Sequence, residues 1–140
     1  MRTALKHPLV GVGTDSGTQA EEGRLSESKS HPRAWGSFPR ILGRYVRDEH
    51  LLTLEEAIRK MTSKAADRVH LHDRGLLRPG MMADITVFDA VTIRDVSTFD
   101  DPKHYATGVK HVFVNGTRVV ADGAITAARP GRPLRGPGAH

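Results

Sequence analysis

The stretch GVGTDSG, residues 11 to 17, closes a short apolar run on a lone acidic residue, Asp15. Leu9 to Thr14 has the apolar and small-residue character of a buried parallel strand, and Asp15-Ser16-Gly17 marks its exit into a loop. Barely ten residues precede this strand. A parallel strand needs neighbours on both sides, so a strand here is expected to belong to a larger sheet than the chain itself supplies.

Downstream, Thr18 to Pro32 is polar and nearly free of apolar residues, a long loop of the kind that serves as a lid or stays disordered. Phe38, Ile41, Leu42, Tyr45 and Val46 then recur at the spacing of one helix face, with Pro39 read at an N-terminal position where its missing N–H costs nothing. A second helix opens at Thr53, where Glu56 completes a T-x-x-E capping box and Leu54, Ala57, Ile58 and Met61 make the apolar face. Ser63 is placed as the cap of a third, short helix through Val69.

The second half changes character. Leu77-Arg78-Pro79-Gly80 reads as a turn and Ala83 to Phe88 as a strand. Val109 to Val114 and Thr117 to Ala121, joined by Asn115-Gly116, form a hairpin with the strongest two-residue turn signal, and Asp122-Gly123 turns the chain again. Residues 90 to 108 connect these strands and show no period. Beyond Arg129 the Pro and Gly content predicts a frayed tail.

Composition bounds the function. The chain has 140 residues, 38% hydrophobic and 5% aromatic, with 14 Gly and 8 Pro, which allows one modest domain with a thin core. It has no cysteine, so disulfides and thiolate zinc sites are excluded. No apolar run approaches the roughly 18 residues of a membrane span, and Met1 to Val10 lacks the apolar middle of a signal peptide; the expectation is a cytoplasmic protein with no membrane partner. The net charge of +5 raises the question of a nucleic-acid partner. Dispersed arginines and the lack of an aromatic stripe argue for a solvated basic surface instead, with no nucleic acid bound.

The order of TDSG, HPRAWGSFPRILGRYVR (31 to 47), LTLEEAIRKMTSKAADR (52 to 68), DRGLLRPGMMADITVFD (73 to 89), HVFVNGTRVVADG and ARPGRPLR resembles the C-terminal part of the N-acyl-D-amino-acid deacylases. These D-aminoacylases belong to the metal-dependent amidohydrolase superfamily. The resemblance implies an α/β fold: the C-terminal fragment of a (β/α)8 barrel, its last strand plus helices, followed by part of a small β-sandwich. On that template residues 1–72 are the end of the hydrolase barrel, 73–128 the C-terminal share of the sandwich, and 129–140 a flexible tail. GVGTDSG becomes the eighth barrel strand, which explains a strand without predecessors.

In such barrels the catalytic groups sit at the C-terminal ends of strands, where Asp15 falls. The resemblance gives Asp15 the role of general acid/base beside a zinc-bound water in hydrolysis of the amide bond of N-acyl-D-amino acids. The family has Ser-Asp-Gly where this chain has Thr14-Asp15-Ser16, so a glycine after the carboxylate is lost. Arg33 is placed as the group that binds the substrate carboxylate through two parallel hydrogen bonds. His31 receives no role beyond loop structure.

His70-Leu71-His72 has the H-x-H form of a metal-ligand pair, yet it follows the third helix, where the family has a non-ligand connection; it is read as two exposed histidines. The resemblance puts the zinc ligands of the full-length family upstream of Met1. No metal site and no bound zinc are therefore expected here, the chain alone is expected to be inactive, and a complementing N-terminal barrel segment is a candidate partner. The alternative is a non-catalytic remnant or small interaction module derived from that enzyme.

Overall fold

A computed structural model of the chain describes residues 1–134. The tail expected over 129–140 therefore falls, for residues 135–140, outside the described residues. Within them Pro130 is tied down, because its carbonyl accepts a hydrogen bond from Asn115 Nδ2 at 2.8 Å.

The chain begins with a short helix, α1 (Arg2–Lys6), which the sequence reading did not anticipate. Its one buried side chain, Leu5, joins Ile41, Leu42, Tyr45, Ala57 and Ile93 in the core. Arg2 meanwhile grips Glu49 through Nε at 2.7 Å and Nη2 at 2.8 Å.

The strand expected over Leu9 to Thr14 is not formed. The segment has no neighbouring strand to complete a ladder, so its backbone groups go elsewhere. Val12 N–H donates to the Lys60 carbonyl at 3.3 Å, which lays the segment along a helix instead of a sheet. The loop that follows is long as expected, with a single 3₁₀ turn at Arg24–Ser26.

Helix α2 (Arg33–Arg40) runs directly into a π-helical segment, Ile41–Asp48. The helix starts five residues earlier than the apolar period suggested, so Pro39 lies inside it rather than at its N-terminus. A proline there removes the bond to the carbonyl four residues back and crowds that carbonyl with its ring. Widening of the turns just beyond it, from Ile41, is a physical response to that crowding. The apolar face is as read: Ile41, Leu42 and Tyr45 are buried.

Helix α3 (Leu54–Met61) begins at the expected cap, with Glu56 N–H donating to Thr53 Oγ1 at 3.2 Å. Only half of the capping box forms, because the Glu56 carboxylate turns to Arg59, accepting at 2.7 and 2.8 Å. Helix α4 (Ser63–Arg68) is short, as expected. Its N-cap is Thr62 rather than Ser63 and makes no side-chain capping bond. The Thr62 hydroxyl donates back to the Ile58 carbonyl at 2.8 Å, so it is unavailable to the next helix.

The second half is a four-stranded antiparallel meander, β1 (Ile85–Phe88), β2 (Val109–Val114), β3 (Thr117–Ala121) and β4 (Ala124–Ile125). Asn115 and Gly116 have φ of 48° and 80°, and Asp122 and Gly123 50° and 82°. Two positive angles in a row are what a two-residue hairpin turn of right-handed strands requires. Asp122-Gly123 therefore leads into β4, a strand beyond the last one read from sequence. Asp84 locks the first turn by accepting the Asn115 N–H at 2.7 Å, and Arg74 donates to both Asp84 and the Asn115 side-chain carbonyl.

The connection over residues 90–108, which has no sequence period, joins the two halves. Ile93 is only 2% exposed and packs in the helical core. Arg94 and Thr107 pair across the connection. The backbone of Ile93 passes between two glycines: a Cβ at Gly43 would come within 2.7 Å of its carbonyl oxygen, and one at Gly108 within 2.5 Å of its Cα. Gly108 also has φ of 85°, which side-chain-bearing residues rarely adopt.

Candidate active site

Asp15 and Arg33, read separately from the sequence, meet in the structure. Arg33 Nη1 lies 3.5 Å from Asp15 Oδ2, across the whole length of the polar loop. Asp15 adopts φ of 49°, a left-handed conformation that Asp tolerates better than most residues. That turn lets the carboxylate leave the segment held along α3 and face the start of α2. The contact is open to solvent, with the Asp15 side chain 95% exposed and Arg33 49% exposed, so it contributes little to stability.

Arg33 is held from behind. It is the first residue of α2, and its N–H donates to His31 Nδ1 at 3.0 Å. The His31 ring stands edge-on to Phe99 at 5.1 Å. Trp35 packs against Tyr105 at 5.2 Å and donates from Nε1 to Ser30 Oγ at 2.6 Å. At the far end of α2, Arg40 Nε donates to Asp95 Oδ2 at 2.6 Å, and the other oxygen of this largely buried carboxylate accepts the Ser97 N–H at 2.9 Å. His31 thus braces the start of α2 from the loop side. The residues Asp95, Phe99 and Tyr105 were missed in the sequence; their only signal was a clustering of acidic, aromatic and proline residues in a stretch without period.

The other candidates are not drawn in. The rings of His70 and His72 stand 6.2 Å apart, both residues are exposed, and among the described residues no group of three or more His, Asp or Glu side chains could hold a metal ion. A groove of about 610 Å³ is lined by Leu9, Arg59, Ser63, Lys64, Asp67, Arg68 and Leu76 and contains neither Asp15 nor Arg33. Chemistry therefore decides the site here, and cavity size does not. A carboxylate beside a guanidinium, both open to solvent, can exchange a proton with one group while binding an anion with the other.

Comparison with known proteins agrees with the order of motifs. The model of the amidohydrolase family matches residues 1–120. An N-acyl-D-glutamate deacylase of Alcaligenes xylosoxydans xylosoxydans is 45% identical over 96% of this chain and 26% of its own length. A D-aminoacylase of the same organism is 44% identical over 81% of the chain and 23% of its own. Among solved structures, the N-acyl-D-glutamate deacylase of Bordetella bronchiseptica, complexed with zinc and a phosphonate inhibitor, superposes with a TM-score of 0.75 at 41% identity, over 87% of this chain and 25% of that one. The chain belongs to the amidohydrolase family. It spans about a quarter of the length of the curated relatives it matches.

Proposed function

We propose that this chain supplies the proton-transfer and carboxylate-recognising part of a hydrolase that cleaves the amide bond of N-acyl-D-amino acids. The observation that carries the reading is the approach of Asp15 and Arg33 to 3.5 Å in a chain 44–45% identical to three deacylases. Asp15 takes a proton from the attacking water and delivers it to the leaving nitrogen. Arg33 binds the free carboxylate of the substrate with its guanidinium fork, which orients the scissile amide toward Asp15.

A solved relative is complexed with zinc, and another is described by its binuclear metal centre. The described residues of this chain do not fit such a site, since they contain no ligand group, and the steps assigned here run through Asp15 and Arg33 alone. On this reading residues 1–72 close a (β/α)8 barrel, 73–128 contribute to a β-sandwich, and the metal is held by a complementing barrel segment. The chain alone is inactive. No helix among the described residues is long and apolar enough to cross a membrane, and we place the protein in the cytoplasm.

The test is complementation. Purified chain is mixed with the remaining three-quarters of the Alcaligenes N-acyl-D-glutamate deacylase and zinc, and hydrolysis of N-acetyl-D-glutamate is followed. Turnover is expected from the mixture and from neither part alone, and Asp15→Asn should lower it by about 10³-fold or more. Turnover that survives Asp15→Asn, or arises from the chain alone, overturns the reading. A second reading, a non-catalytic interaction module, is favoured by the 95% exposure of Asp15 and its absence from the 610 Å³ groove. It predicts a folded chain that never complements.

A further inference from the structure

Lys60 is the one charged residue with no solvent exposure among the described residues. Its side chain runs inward from the last turn of α3, and Nζ donates to the carbonyls of His7 at 2.6 Å and Val10 at 2.7 Å. The only carboxylate within ion-pair reach among the described residues, Glu56, stands 3.6 Å away and is already taken by Arg59. Four residues along, Lys64 Nζ donates to the Pro8 carbonyl at 2.7 Å. The Lys60 carbonyl in turn accepts the Val12 N–H.

A buried charge with so little compensating charge is a poor stabiliser, and an apolar side chain of the same length would fill the space at lower cost. What Lys60 adds is direction. Its two short bonds fix two carbonyls three residues apart in a segment that has no strand partner of its own. Asp15 follows three residues after the last of these ties, Val12.

We propose that Lys60, assisted by Lys64 at the start of α4, is a positioning residue that clasps residues 7–12 to α3 and α4 and thereby holds Asp15 against Arg33. This rests on the reading of Asp15 as the working carboxylate, and it explains how that carboxylate is placed in a segment that pairs with no strand among the described residues. Nothing in the clasp touches substrate; it acts through the backbone it anchors.

The experiment uses the full chain without substrate, by nuclear magnetic resonance. Lys60→Met keeps the length and removes the donor. It should raise amide exchange at Val12 by about tenfold, as loss of a local anchor does, while α2 and β2 keep their protection. The Asp15 carboxyl carbon should shift on Arg33→Gln in the otherwise unchanged chain, and this response should vanish in the Lys60→Met background. If Lys60→Met does not fold, Lys64→Met, at the outer end of the clasp, should loosen residues 8–12 by about threefold and weaken the same response. Exchange rising equally throughout the molecule would make Lys60 a general stabiliser and overturn the proposal. So would an Asp15 response to Arg33→Gln that is undiminished by removal of either lysine. Because no substrate is involved, failure here leaves the hydrolase reading to its own complementation test, and failure of that test leaves the clasp measurement standing.

Discussion

The helical half and the sheet half of this chain hold themselves together differently. Leu5, Ile41, Leu42, Tyr45, Ala57 and Ala66 are buried in the first half. Not one residue of the four strands is fully buried. The helices are thus stabilised by a core of their own, whereas the sheet depends on its ladders and on turns whose backbone angles its sequence favours. They communicate through Ile93, Phe88 and Val109, which pack on the helical core from the sheet side. A meander with two half-exposed faces is marginal alone, so that small contact carries much of what keeps the sheet folded.

The contrast can be broken at Ile93. Ile93→Ala empties a site that is 2% exposed and should cost about 3–4 kcal/mol, within the range for large-to-small core changes. Because the residue joins the halves, urea unfolding followed by Trp35 fluorescence, which reports the helical half, and by the amide resonances of β2 and β3 should separate into two transitions. Coincident transitions in this variant would show that the halves are coupled by more than Ile93 and its two neighbours.

The next effect sharpens the account of the sheet. Asn115→Ala places a Cβ-bearing residue without a local side-chain bond at φ of 48° and removes the contacts to Arg74 and Pro130. A loss of about 1–2 kcal/mol is expected, with amide exchange rising in β2 and β3 but not in α3. Thr53→Ala is the matching probe of the helical half. It removes the cap on Glu56 N–H and should cost about 1 kcal/mol, confined to α3 in exchange measurements.

The smallest effect is a dependence on pH in the helical half. Glu49 is held down to about 2, from an ordinary value of 4.5, first by the hydrogen bond from Arg2 and then by that from Arg44. The folded chain therefore keeps this carboxylate ionised where the unfolded chain protonates it. Its contribution is full above pH 4.5 and is lost as pH falls toward 2. Glu49→Gln should flatten that part of the acid unfolding curve as α1 comes free, and leave stability near pH 7 little changed, because surface pairs contribute little. An unchanged acid limb would show that α1 is held by contacts other than the Glu49 pair, such as the burial of Leu5.

Much of the architecture was legible because it is local. The apolar period of residues 38–46, the cap at Thr53 and the glycine-bearing hairpin turns are each decided by a few neighbouring residues and their preferred backbone angles. The same locality explains the misreadings. Pro39 is acceptable at a helix start, but only the packed structure shows that the helix begins at Arg33. Leu9 to Thr14 has the composition of a strand, but a strand exists only with a partner, and here the backbone bonds to Lys60 instead.

By itself, the sequence determined the family, the helix faces, the two hairpin turns and the identity of Asp15 and Arg33 as candidates. Only the tertiary structure decided that these two side chains face each other, that Ile93 from a stretch without period enters the core, and that Lys60 is buried against the carbonyls of His7 and Val10. The physical reason is range. Periodicity and turn chemistry act between residues a few positions apart, whereas these contacts depend on how distant segments close on one another, which no short window of sequence contains.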